Sequence, residues 1–258
     1  MVSNNRIITD IHKLSVLLQT RWSANMENES VLFRLFPVIN KKDLSYQIQE
    51  NNCLVFKNIN LGRNHNLGNR TTPKVKLEIR LKSFETKDDL TDSITSLGVN
   101  ISILSQKEEE EIEAIQTWHL DKVDKKNTDD DNVYDEFVHP TYHLNFGGKK
   151  MRKANKKLGF GALLLLSSPR ITHPPLDIIL SIDFILRNFY SYDSHKIITQ
   201  DASYKKIVKN AVNRYWKPFA LTYASFWLQD LASNLNTAPS ELFPSLDCEP
   251  TPKNWTKV

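Results

Sequence analysis

The sequence predicts an α+β domain: an antiparallel β-sheet from the N-terminal two-thirds packed on a C-terminal helical layer, with one buried helix at its centre. Three observations predict it. Val75, Leu77, Ile79 and Leu81 alternate with Lys76, Glu78, Arg80 and Lys82, the period of a strand with one dry face and one wet face. From residue 160 onward the apolar spacing becomes helical. The stretch Pro174 to Tyr190 opens with two prolines and runs apolar on nearly every side, so it belongs inside the domain rather than on its surface. Strands first and helices afterwards is the order of an α+β chain.

Taken in order, Ile7, Ile8, Ile11, Leu14, Leu18 and Trp22 mark one apolar face of an N-terminal helix. The stretch 31–40, opening Val31 to Pro37, reads as a short strand or buried turn, and Cys53 to Phe56 as a short strand. Residues 57–73 are rich in Gly and Asn and read as loop. After the alternating strand at 75–82, residues 88–97 suit a short helix. Strands follow at 99–103, 115–123 and 137–146, the last stopped by Gly147-Gly148. Asp124 to Asp135 is a solvated acidic loop. The central helix is expected at about 174–190 and a second at about 200–217, which Pro218 should kink or end. A third covers Ala220 to Leu231. The whole reads as a single domain over 1–258: mainly strands after an N-terminal helix to 160, mainly helices over 161–233, and an extended tail over 234–258. The sheet is expected to have about five strands.

Composition narrows the function classes. Of 258 residues 40% are apolar, enough for a real core, and a net charge of +4 is too small to mark a nucleic-acid binder by itself. The two cysteines, Cys53 and Cys248, are far apart and have no metal-type spacing, which favours a reducing cytoplasm over a disulfide scaffold. The N-terminus has no secretory pattern, and the run Ala162 to Leu166 is too short to span a bilayer. No membrane segment, metal or cofactor is expected. Gly-rich phosphate loops, nucleophile elbows and paired Cys-X-X-Cys motifs are all missing from the sequence.

Three constellations could carry chemistry. His119 and Asp121 alternate with Trp118 and Leu120, and His143 and Asn145 alternate with Tyr142 and Leu144. If the two strands pair as a hairpin around the acidic loop, all four polar side chains project from one face, with His139 just upstream. Two imidazoles beside a carboxylate suit acid–base work on a phosphodiester, or a metal. The plainer reading is that the wet face of a sheet is polar in any case. Second, Arg170 and His173 stand just ahead of the central helix, where anions bind well. Third, Lys149, Lys150, Arg152, Lys153, Lys156 and Lys157 follow Gly147-Gly148 and could track a phosphate backbone. On the central helix Asp183 and Arg187 are spaced to pair across one turn, in a partly buried setting.

Two segments carry a family resemblance: His139-Pro140-Thr141-Tyr142-His143-Leu144, and Pro169-Arg170-Ile171 with Pro174-Pro175 leading to Phe184-Ile185-Leu186-Arg187-Asn188-Phe189-Tyr190. Together they resemble a family of uncharacterised bacterial proteins, a domain of unknown function, with a His-Pro-X-X-His-Leu strand and a Phe-Ile-Leu-Arg-Asn-Phe-Tyr helix end. The likeness covers about a fifth of the chain. Asn145 to Gly148 and the Thr172-His173 insertion depart from the family's pattern. The resemblance implies a setting in mobile elements and anti-phage defence islands, and singles out His139, His143, Arg170 and Arg187.

The expectation is therefore an accessory or effector component of a bacterial defence or toxin operon. Its partner would be a protein subunit of the same operon, a nucleic acid, or both. The alternative is a phosphodiesterase or nuclease-type toxin. There His119 and His143 serve as base and acid, Asp121 orients or binds metal, and Arg170 stabilises the phosphorane.

Overall fold

The computed structural model describes residues 4–33, 38–40, 43–59, 73–86, 90–106, 113–122, 141–147, 151 and 170–227. Two long strands, β5 (Lys74–Phe84) and β6 (Ile94–Gln106), form the spine of an antiparallel sheet. On one side follow β7 (Glu113–Lys122), β8 (Tyr142–Phe146) and the two-residue β9 (Ile171–Thr172). On the other side β5 is long enough to hold two strands end to end. β3 (Asp43–Ile48) pairs with Ile79 to Phe84, and β4 (Leu54–Phe56) pairs with Val75 to Leu77. β2 (Val38–Asn40) extends β3, and β1 (Met26–Glu27) extends β4. The sheet thus has nine strands among the described residues, against an expected five. Three of the extra ones, β1, β2 and β9, are only two or three residues long and carry little periodicity; β3 does alternate, burying Leu44, Tyr46 and Ile48, but was not read as a strand.

The alternation in β5 sets which face is dry. Leu77, Ile101, Trp118 and Phe146 form one inward rung across four strands, and Ile79, Val99, Leu120 and Leu144 form the next. Trp118 meets Phe146 edge to face at 4.9 Å. Of the helix expected over 88–97, residues 94–97 are instead the start of β6. A bulge between Lys82 and Ser83 lets Ile94 oppose Ser83 while Ser96 opposes Lys82. Thr95 is the extra residue, so Ile94 and Leu97 share the buried face at a spacing of three. That spacing imitates a helix. Asp92 holds the entry to the strand: its carboxylate accepts from Ile94 N–H at 3.0 Å, Tyr142 Oη at 2.7 Å and Lys122 Nζ at 2.9 Å.

The helical layer covers the dry face. α1 (Asn4–Arg21) buries Ile7, Ile11, Leu14 and Leu18, as its spacing required; within the stretch 31–40 expected as a strand or turn, the helical turn α2 (Ser30–Phe33) covers the start and β2 the end. The central helix, α3, runs Ile178–Phe189 and starts four residues later than expected. Pro174 and Pro175 keep the approach extended, because a proline disfavours helical backbone in the residue before it. Asp177 then caps the helix, its Oδ1 accepting from Leu180 N–H at 2.8 Å. Seven of its residues, including Ile178, Ile182, Ile185 and Leu186, are buried, so the rod expected at the centre is there. Asp183 and Arg187 do pair, at 2.9 Å, but Arg187 lies in water while Asp183 also accepts from the buried Tyr204 hydroxyl at 2.9 Å.

α4 (Tyr192–Thr199) was not expected; Ser191 caps it and Asp193 stands in its first turn. α5 (Ala202–Ala211) passes through a π turn, Val212–Trp216, into α6 (Lys217–Trp227). The helix therefore continues through Pro218. The reason lies in the π turn just before it: Lys217 N–H reaches back to Val212 O, widening the ladder where the proline ring would otherwise meet the carbonyl four residues earlier. One cluster of buried residues runs from α1 through both faces of contact between helices and sheet. No helix among the described residues is long and apolar enough to cross a membrane. The acidic loop, the Lys and Arg residues of the basic run at 149–157, the apolar run at 162–166, the tail at 234–258 and Cys248 lie outside the described residues.

Candidate functional site

The other face of the sheet is wet, and it collects the polar residues of five strands. Because β7 and β8 pair antiparallel, Asp121 stands directly opposite His143, and His119 opposite Asn145. Both rows continue across the sheet. Asp121 faces Gly98, which faces Arg80, which faces Gln47; His119 faces Asn100, which faces Glu78. On the far side His143 faces Thr172 of β9, two residues beyond Arg170, which is exposed. The sheet thus brings His119, Asp121 and His143 onto adjacent rungs, with Arg170 next to the outermost.

A hydrogen-bonded line crosses three strands. Asn100 Nδ2 donates to Glu78 Oε2 at 3.3 Å, and Asn100 Oδ1 meets His119 Nδ1. The amide is thereby oriented with its oxygen toward the imidazole, so Nδ1 is the ring nitrogen that carries hydrogen. His119 Nε2 is left buried and without a hydrogen-bond partner, as is Asn145 Oδ1 beside it. A neutral ring in this tautomer has its lone pair on Nε2, the arrangement a general base requires. His143 is almost fully buried.

Beside this line lies a groove of about 560 Å³, lined among others by Gln47, Gln49, Asn51, Glu78, Arg80 and Asp121. Gly98 forms part of its floor. A Cβ there would stand 3.5 Å from Asp121 Oδ1 and 3.8 Å from Arg80 Nη2, ordinary contact distances, so a side chain at this position would lie against both charged groups. A glycine in mid-strand weakens the strand and marks a place of close approach. Among the described residues, the charged groups lining the groove are two carboxylates, Glu78 and Asp121, and one guanidinium, Arg80.

His173 is placed differently from these. Its Nδ1 bonds Pro174 O at 2.6 Å and its ring meets Phe184 edge-on. Burial holds its pKa below the usual histidine value, only partly offset by that hydrogen bond. The N-terminus of α3 is occupied by the Asp177 carboxylate. Lys149, Lys150, Arg152 and Lys153, with His139, lie outside the described residues. Among the described residues no group of three or more His, Cys, Asp and Glu side chains is arranged to hold a metal ion.

Sequence reading missed Glu78, Arg80, Gly98, Asn100 and Gln47 as parts of the site. The alternation of 74–82 does put Glu78 and Arg80 on the wet face. Which residues of β6 and β7 they would meet is a matter of register, which alternation leaves open. Comparison with models of known families, with curated proteins and with solved structures gave no match.

Proposed function

We propose that the wet face of the sheet is the working surface of this protein and that its groove receives a polar segment of a partner protein. On this reading the chain is an accessory or effector component of a bacterial defence or toxin operon, acting in the cytoplasm. The groove floored by Gly98 carries the proposal. Among the described lining residues, two carboxylates against one guanidinium suit a neutral or cationic group better than a phosphate, which favours a protein over a nucleic acid there. The operon setting rests on the resemblance of the His139 to Leu144 segment, whose second histidine, His143, pairs with Asp121 of this face.

The test is co-purification with the products of neighbouring genes, using wild type and Gly98→Leu. The added side chain fills the groove from the wet side, where no core contact is lost. The variant should fold normally and bind its partner at least about tenfold more weakly, a loss of about 1.4 kcal/mol. Undiminished binding by Gly98→Leu would rule the groove out. Binding of nucleic acid alone, unaffected by the substitution, would move the function to the basic run at 149–157.

The Glu78–Asn100–His119 line favours a second reading, a phosphodiesterase or nuclease-type toxin. His119 would act as base through Nε2, His143 as acid, with Asp121 orienting and Arg170 stabilising the phosphorane. Toxicity on expression that disappears in both His119→Ala and His143→Ala supports it; equal toxicity in all three proteins ends it.

A further inference from the structure

The groove on the wet face sits where β5 changes partners. β3 leaves β5 at the Ile48–Ile79 pair and β4 joins it at the Leu54–Leu77 pair, so Glu78 falls at the break. A short 3-10 turn, Glu50–Asn52, carries the chain across, and Gln49 and Asn51 edge the groove there. On its other side β5 pairs without a break past Glu78. There Gly98 of β6 lies in one row between Arg80 of β5 and Asp121 of β7. Both neighbours line the groove with it.

Gly98 makes a socket one side chain wide. Its nearest neighbours on the same face are Arg80 and Asp121 across the strands, with Ser96 and Asn100 two residues away along β6. Each of these carries a side chain and Gly98 carries none. A Cβ built on Gly98 would stand 3.5 Å from Asp121 Oδ1 and 3.8 Å from Arg80 Nη2, so both charged groups reach this position, one from each adjacent strand. The two atoms are no farther apart than the sum of those distances, yet no ion pair joins them. Asn100 is engaged elsewhere, its Nδ2 with Glu78 at 3.3 Å and its Oδ1 with His119. The socket therefore offers a guanidinium donor on one wall and a carboxylate acceptor on the wall across from it.

Charge and width decide what fits. A cation placed on Asp121 meets Arg80, and an anion placed on Arg80 meets Asp121, with Glu78 in the same groove. A neutral group that accepts on one side and donates on the other meets neither obstacle. A hydroxyl has both functions on one oxygen and must touch both walls from a single point. A carboxamide has them on two atoms and spans a wider gap, such as one left between charges that do not pair. A main-chain peptide group has the same polarity, but the chain on either side of it would ride on the surrounding side chains. We propose that Gly98 floors a socket for a side-chain carboxamide, the tip of an asparagine or glutamine in the partner's segment. Its oxygen accepts from Arg80 Nη2 and its NH2 donates to Asp121 Oδ1. This rests on reading the groove as the site of a partner protein, and adds what the segment must carry.

The test is an NMR titration of the isotope-labelled full chain, read at the Gly98 backbone amide. The probes are the N-acetyl, C-terminal N-methylamide derivatives of glutamine, lysine, glutamate and alanine. The glutamine compound should shift the Gly98 signal at concentrations at least about fivefold lower than the other compounds require. Asp121→Ala and Arg80→Ala should each remove that preference. Equal or tighter binding of any other compound, a Gly98 signal that none of them moves, or a preference that survives both substitutions would overturn the proposal. The two readings fail differently. Partner capture lost in Gly98→Leu, with no preference for glutamine, overturns the carboxamide and keeps the groove. Undiminished capture by Gly98→Leu strikes the groove reading, and the proposal with it.

Discussion

Replacing Asp177 by Asn separates the two jobs this residue performs. Asn keeps an oxygen where Asp177 Oδ1 accepts from Leu180 N–H, so the cap of α3 survives. It removes the ionisable group. Burial raises the Asp177 pKa from its ordinary value to about 6, against the smaller opposing pull of Arg214 and of two backbone N–H groups. The folded chain therefore holds this proton more tightly than the unfolded chain does. The associated stability is fully present below about pH 4, and it is lost as pH rises through 6. That rise to about 6 corresponds to roughly 3 kcal/mol. Urea unfolding of wild type and Asp177→Asn between pH 4.5 and 8 measures it. Wild type should lose stability relative to the variant as pH rises, with the gap complete above pH 7. Parallel pH profiles for the two proteins would refute the reasoning.

Two further outcomes follow from the same core. Asp10→Ala leaves Arg214 charged, buried and deprived of its bonded partner, and should cost about 3–5 kcal/mol in denaturant unfolding. Replacing Asp10 and Arg214 together by apolar residues should restore most of that. Pro218→Ala should change stability by less than about 1 kcal/mol, because the π turn already accommodates the ring; a gain near 3 kcal/mol would show instead that the proline strains an ordinary helix.

Much of the site was legible because alternation is local. His119, Asp121, His143 and Asn145 announce a shared face by skipping one residue at a time, and the structure pairs the two strands as that pattern suggests. Ile94 and Leu97 show the opposite case. A bulge shifted their parity, and a strand took on the spacing of a helix. Pro218 does not end the helix, for a related reason: the π turn that admits it leaves no mark that residue-by-residue helix rules detect. α4 carried its signal openly, in Ser191 as cap and Asp193 behind it, but eight residues give a weak apolar pattern.

By itself, the sequence determined an antiparallel sheet with one wet face, a helical layer, and a greasy helix near residue 180 buried between them. Those are consequences of periodicity, which each segment carries alone. Only the tertiary structure decided that Glu78, Asn100 and His119 stand in line, that Gly98 floors a groove, and that Asp10 meets Arg214 across 204 residues of chain. Strand register and long-range pairing depend on which surfaces meet after collapse. A segment's own pattern says which side is dry, and leaves its partner across that side to be chosen by the rest of the fold.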